Sequence, residues 1–233
     1  MKALLVDDER LARAGLRRLL EEHADVVVVG EAQNGEDAAQ KIRRLQPDVV
    51  FLDIEMPGQD GLELLEDLED VPPVVFTTAY QEYAVRAFEV SALDYLVKPI
   101  VPERLSAALD KVRKLTSESQ AMPRRPRHVF LRDGKHCWIV LMHEIRLLES
   151  VGNYTRVHFA NNSPLIYKSL NTLESRLDPN LFFRASRSHI INLQEIKSVE
   201  PEAEGGLTVV LASGVKVMIS RRQSRTLRNR LSL

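Results

Sequence analysis

Two hydrophobic patterns alternate along the first 115 residues. Short apolar runs at Ala3–Val6, Val26–Val29, Val49–Leu52, Val74–Phe76 and Tyr95–Val97 are bounded by charge, glycine or proline, as buried strands are. Between them Arg10–Glu22, Glu36–Leu45, Gly61–Leu68, Glu82–Val90 and Pro102–Leu115 carry apolar residues at helical spacing. In the first of these Leu11, Ala14, Leu16 and Leu19–Leu20 form the predicted inner stripe, with Arg13, Arg17 and Arg18 facing outward. Pro102 stands where a helix tolerates proline, in its first turn. Five strands alternating with five helices predict a doubly wound α/β domain on a five-stranded parallel sheet.

The pattern then changes. Residues 116–127 are polar, contain proline and show no apolar periodicity, which predicts a linker. From His128 onward short strands dominate: Val129–Leu131, Trp138–Leu141, Ile145–Leu148, Thr155–Phe159, Leu165–Lys168, His189–Ile191, Leu207–Leu211 and Val215–Ile219. Asp133–Gly134, Asn161–Asn162, Gly205–Gly206 and Ser213–Gly214 mark turns, and only Leu170–Leu177 and Ser220–Leu231 look helical. The expected organisation is an α/β domain at 1–115, a linker at 116–127 and a mainly-β domain at 128–233.

Charge divides at the same place. Residues 1–115 hold 23 acidic and 14 basic side chains, a net of −9, whereas residues 116–233 hold 10 and 18, a net of +8. A near-neutral chain thus joins an acidic half suited to cations to a basic half suited to polyanions. Cys137 is the single cysteine, which excludes an intrachain disulfide and a cysteine-rich zinc site, and its neighbours Trp138 and Ile139 suit a packed thiol. The apolar start closes at Asp7, too early for a signal peptide, and no apolar run approaches membrane-spanning length. The expectation is a cytoplasmic protein without a membrane partner.

The candidate chemistry lies at strand ends. Parallel strands present their C-terminal ends on one edge, so Asp7 and Asp8, Asp53, Thr78 and Lys98 should converge. Asp8 and Asp53 suit ligands of Mg²⁺, with Asp7 as an outer ligand or orienter of bound water. Lys98 would neutralise a phosphoryl oxygen, and Thr78 would offer a hydroxyl to another.

These residues carry a resemblance. Asp7–Asp8, Asp53–Gly58, Asp60–Gly61, Thr77–Ala79 and Tyr95–Pro99 resemble the receiver domain of two-component response regulators, a flavodoxin-like fold. The resemblance implies that Asp53 takes a phosphoryl group from a sensor histidine kinase. It implies that Asp8, Asp53 and the Glu55 main-chain carbonyl bind Mg²⁺, and that Lys98–Pro99 is cis. Thr78 and Tyr95 would form a switch pair, and the phosphorylated domain would dimerise. Added charge and acceptor oxygens at Asp53 would draw Thr78 inward and free space for the Tyr95 ring. Glu55 and Tyr80, each two residues beyond a site residue, are bulky enough to slow hydrolysis of the acyl phosphate.

The second half resembles the LytTR DNA-binding domain through Leu147–Thr155, Ser169–Glu174, Phe182–Asn192 and Ser220–Arg222. Members bind double-stranded DNA through loops placed in major grooves. The residues suit that role: Arg187, Arg221 and Arg222 can bond guanine edges or phosphates, Asn153 and Tyr154 occupy a glycine-containing turn, and Lys168 and Ser169 precede a helix start. Arg187 and Arg222 rank first. Arg225, Arg228 and Arg230 are expected on a solvated helix face. Ser186 and His189 depart from the family's usual residues.

The leading function is a transcription regulator switched by phosphorylation of Asp53, and not an enzyme. An aspartate-nucleophile phosphatase would place both acids in one motif after the first strand. A receiver controlling a protein-interaction module would not need the basic second half.

Overall fold

The computed structural model describes residues 1–79, 93–120, 127–134, 136–202 and 206–231, apart from the side chains of 117–120. Tyr80 and the expected helix at Glu82–Val90 lie outside the described residues, as do residues 121–126 of the expected linker. The chain forms two compact units, residues 1–140 and 141–233.

The first unit is built on a five-stranded parallel sheet, order β2-β1-β3-β4-β5. Its strands are β1 (Lys2–Val6), β2 (Val27–Ala32), β3 (Val49–Asp53), β4 (Val74–Thr78) and β5 (Asp94–Val97). β3 and β4 are buried along their whole length, the state their continuous apolar runs predict. Alternation sends Leu4, Val6, Val50, Leu52 and Phe76 to one face, against α2 (Gly35–Leu45) and α3 (Gly61–Asp67). Leu5, Phe51 and Val75 go to the other, where Leu16 and Leu20 of α1 (Arg10–Leu20) and Leu105, Leu109 and Val112 of α4 (Pro102–Gln120) cover them. Asn34 caps α2, and Asp60 forms a capping box with Glu63 on α3, so both chain entries are fixed locally.

α1 buries Leu16 and Leu20 as predicted but departs from the predicted stripe in its first turns. Leu11 is 77% exposed, while the Arg13 side chain, expected outside, is only 11% exposed. The reason is polar. Arg13 reaches Glu31 on β2 at 3.0 Å and donates to the Asp7 carbonyl at 2.6 Å, so its guanidinium stitches the helix to the ends of two strands.

α4 runs to Gln120, five residues into the expected linker. The hairpin of β6 (His128–Asp133) and β7 (His136–Leu141) packs on α3: Phe130 and Cys137 join the cluster of Leu64, Leu65 and Leu68. Val71 donates to the His128 carbonyl at 3.0 Å, and Arg132 faces Glu66 at 3.5 Å. The hairpin therefore falls within the first compact unit, residues 1–140.

The second unit carries an antiparallel sheet of order β10-β9-β8-β12-β11 and a three-stranded sheet β13-β14-β15. The strands are β8 (Ile145–Val151), β9 (Tyr154–Phe159), β10 (Leu165–Ile166), β11 (Phe182–Arg184), β12 (His189–Asn192), β13 (Ile196–Pro201), β14 (Leu207–Leu211) and β15 (Lys216–Ile219). Two short helices, α5 (Leu170–Glu174) and α6 (Arg221–Leu231), complete it. Leu147, Phe183 and Ile191 meet Leu207, Val209, Val217 and Ile219 in one core, which Leu227 of α6 joins. Buried Asn192 donates to the carbonyls of His143 and Ile145 and accepts from Gln194, so its polar group costs little. β11 and β13 were not among the predicted strands.

Candidate phosphoryl site and nucleic-acid interface

Strand order reverses direction between β1 and β3, which opens a crevice at their C-terminal ends. Asp7 follows β1, Asp53 ends β3, Thr78 ends β4 and Lys98 follows β5. The Lys98 ammonium lies 2.7 Å from Asp7 Oδ2 and 2.7 Å from Asp53 Oδ2, which brings these three side chains together. Each group is locally held. Asp7 accepts from the Glu9 amide at 2.9 Å, and the Lys98 amide donates to the Thr78 carbonyl at 2.7 Å. The Glu55 amide donates to Asp53 Oδ1 at 3.3 Å, which curls the loop after β3 around the site. The Lys98–Pro99 peptide is cis.

Gly61 opens α3 directly beneath this loop. A Cβ there would meet the Asp53 carbonyl oxygen at 2.3 Å, so only glycine lets the helix start so close to β3.

Burial raises the Asp53 carboxyl above the ordinary range, against the attraction of Lys98, and the Asp7 charge adds to the rise. Burial alone would lower Lys98, but its bonds to Asp53 and Asp7 hold it above its usual value, so it remains a cation. One carboxylate oxygen from each of Asp7, Asp8 and Asp53 lies within 4.8 Å of the other two. Three carboxylates against one ammonium leave an excess of negative charge, and the oxygen-only donor set fits a hard divalent cation such as Mg²⁺. Asp8 is the exposed member of the three, open to water and ligand.

Thr78 is fully buried and pairs in register with Val97, while Phe76 pairs with Tyr95. Thr78 and Tyr95 are therefore diagonal neighbours on one face of the sheet. Tyr95 is 9% exposed within the cluster that contains Phe76.

In the second unit, hydrogen bonds gather the predicted contact loops at one place. The turn 185–188 between β11 and β12 exposes Arg187. The Ser188 carbonyl accepts from Ser150, near the end of β8, which leads into the exposed turn of Gly152, Asn153 and Tyr154. The Ala185 carbonyl accepts from Ser220, which leads directly into exposed Arg221 and Arg222. Beyond that turn, buried Thr155 donates to the Lys168 carbonyl at 2.7 Å, and Tyr154 packs edge-on against Tyr167 with ring centroids 5.3 Å apart. Ser169 caps α5 by accepting from the Thr172 amide. Arg221 and Arg222 stand in the first turn of α6, which has no acidic residue. The helix dipole disfavours cations there, and a bound phosphate removes the conflict.

Two arginines have roles that their spacing in the sequence did not signal. Arg230, expected on a solvated face, donates to the Pro179 carbonyl at 2.7 Å and lies over the Phe183 ring. Arg184 grips the 185–188 turn from behind.

Residues 3–110 match the response regulator receiver domain, and residues 135–232 match the LytTr DNA-binding domain. The transcriptional regulatory protein BtsR of Escherichia coli K12 is 36% identical over the whole of both chains. The sensory transduction proteins LytT of Bacillus subtilis and Bacillus anthracis are each 31% identical, again over the whole of both chains. The chain belongs to the two-component response regulators that join a receiver domain to a LytTr DNA-binding domain. Among the described residues no helix is long and apolar enough to cross a membrane.

Proposed function

We propose that Asp53 is the phospho-acceptor of a sensor histidine kinase and that its phosphorylation promotes dimerisation and sequence-specific binding of double-stranded DNA. Residues 1–115 carry the input, 116–127 connect and 128–233 carry the output, acting in the cytoplasm to regulate transcription. The observation that carries the reading is the Lys98 ammonium held 2.7 Å from both Asp7 and Asp53 in a crevice that also exposes Asp8.

In the transfer, the N–P bond of a phosphohistidine breaks and its electron pair stays with the imidazole, while an Asp53 carboxylate oxygen forms the new O–P bond. Asp7, Asp8, Asp53 and the Glu55 main-chain carbonyl would hold Mg²⁺, which supplies charge neutralisation between the carboxylate and the phosphoryl oxygens. Lys98 is placed to exchange its Asp53 contact for a phosphoryl oxygen and so to hold the product. Thr78, buried at the end of the adjacent strand, would donate its hydroxyl to another such oxygen. Tyr95 is its diagonal neighbour, so a shift of Thr78 would change the space open to the ring. Moving a mostly inactive population to a mostly active one requires about 5 kcal/mol of differential stabilisation. One or two charge-assisted hydrogen bonds together with dimer contacts are of that order.

On the output side Arg187 and Arg222 would read bases or grip phosphates. Arg221, Asn153, Tyr154, Lys168 and Ser169 would flank them along the same hydrogen-bonded edge. Acetyl phosphate with Mg²⁺ should place one phosphoryl group on the wild type and none on Asp53→Asn, read by intact mass and peptide mapping. Phosphate retained on the Asp53→Asn variant would refute the assignment.

A further inference from the structure

The geometry points to Arg184 as the residue that positions Arg187 for reading DNA, an inference that rests on the DNA-binding reading above. Arg184 is the last residue of β11, and its side chain folds along the turn that follows. Nε donates to the Ser186 carbonyl at 2.6 Å, and Nη2 donates to the Arg187 carbonyl at 2.7 Å. Nη1 pairs with Glu174 of α5 at 3.0 Å. One planar guanidinium therefore spans both central carbonyls of the turn and a fixed point on a neighbouring helix. Its side chain is 16% exposed, whereas Arg187 is exposed at the tip.

Apart from Arg184, the turn is held at its edges and by its own serines: Ser186 Oγ accepts from the Ser188 amide at 3.2 Å, and the Ser186 and Ser188 hydroxyls both meet His189 Nδ1. Ala185 and Ser186 amides bond the His189 carbonyl, and Ser188 and Ala185 carbonyls bond Ser150 and Ser220. Those bonds fix where the turn sits. The peptide that joins Arg187 to Ser188, and so helps aim the Arg187 side chain, is held on both edges: its amide donates to Ser186 Oγ, and its carbonyl accepts the shorter, charged bond from Arg184. Lysine cannot substitute, because a single ammonium lacks the rigid fork that serves three acceptors together. Glu174 supports the reading. An acid among DNA-contacting loops repels phosphate, and here its charge is spent on Arg184. Because Glu174 ends the helix that Ser169 caps, the same pair also ties the Arg187 turn to the Lys168–Ser169 site.

The test uses the full-length protein treated with acetyl phosphate and a duplex that the wild type selects from a random library, with a scrambled duplex as control. Arg184→Lys is expected to weaken binding of the selected duplex about tenfold, the scale of one misplaced base contact. Binding of the scrambled duplex and the salt dependence should stay within about twofold, since lysine keeps the charge. In an Arg187→Ala background, Arg184→Lys should cost nothing further, as expected when one residue acts through the other. Glu174→Gln should lose selected-duplex affinity in the same direction but by less.

Additive losses would overturn the proposal by making Arg184 a DNA contact itself. Equal losses on both duplexes with a lowered Tm would reduce it to a stability role, and unchanged affinity would deny it any role. If Arg187→Ala binds the selected duplex as wild type does, Arg187 is no reader and the proposal falls with it. If the wild type selects no duplex at all, it is the DNA-binding reading that fails.

Discussion

Gly61 and Gly15 make a matched pair on which the account of the acceptor strand can be tried. Both lie in helices of the first unit, where alanine is intrinsically favoured over glycine by up to ~1 kcal/mol. At Gly15 a Cβ would meet nothing within 4 Å, so Gly15→Ala should stabilise by about 0.5–1 kcal/mol. At Gly61 the Cβ would stand 2.3 Å from the Asp53 carbonyl oxygen, about 1 Å inside ordinary contact, and 3.1 Å from Leu52. Backbone cannot step aside as a flexible side chain can, so α3 or the end of β3 must move. Overpacking of this kind costs about 1–3 kcal/mol. A domain of this size loses roughly 4 °C in Tm per kcal/mol, so Gly61→Ala should melt about 4–12 °C lower. Thermal and urea unfolding of both variants measure the pair. The displaced Asp53 carbonyl should also slow phosphorylation by acetyl phosphate in Gly61→Ala, while Gly15→Ala keeps the wild-type rate. A Gly61→Ala protein as stable and as reactive as Gly15→Ala would refute the claim that α3 is seated against the acceptor strand.

Further outcomes follow from the same geometry. Lys98→Met leaves Asp7 and Asp53 facing each other without their cation; it should cost about 2–4 kcal/mol in metal-free buffer, and added Mg²⁺ should recover more stability than in the wild type, read by calorimetry. Glu31 is held below its ordinary pKa chiefly by Arg17, with Arg13 contributing. Its ion pairs therefore stabilise the fold above the unfolded value near 4.5 and lose that contribution as pH falls, so Glu31→Gln should cost about 1 kcal/mol at pH 7 and progressively less in acid unfolding series. Arg222→Ala should weaken DNA binding and reduce the magnitude of the salt slope by about one if it holds a phosphate, measured by titration at several ionic strengths.

Much of this molecule is legible before folding because its chemistry sits where period changes. Asp7, Asp53, Thr78 and Lys98 each close a buried apolar run, and parallel strands bring such ends together whatever their separation in sequence. Arg13 of α1 read wrongly for the same physical reason that it matters. Arg13 looks solvent-facing by spacing, and only β2, which carries Glu31, turns it inward. In the second half β13 was invisible because it is mostly exposed, Ile-Lys-Ser-Val-Glu-Pro, with no alternation to detect. β11 is three residues long. The edge that assembles the proposed contact loops depends on Ser150–Ser188 and Ala185–Ser220 bonds between residues that carry no sequence signal of being partners. The same holds for Arg184, whose three acceptors include two main-chain carbonyls that no residue pattern encodes.

On the reading proposed above, the acidic crevice changes the protein's own state rather than turning over an external substrate. That reading is tested most directly by following phosphate and DNA affinity together: wild-type protein is phosphorylated at Asp53, inorganic phosphate release is timed, and binding to the selected duplex is titrated before and after. One phosphoryl group per chain is expected, with slow release and a gain in DNA affinity that Asp53→Asn does not acquire. Many turnovers of phosphate release per molecule, or full phosphorylation of Asp53 with unchanged DNA affinity, would contradict the reading.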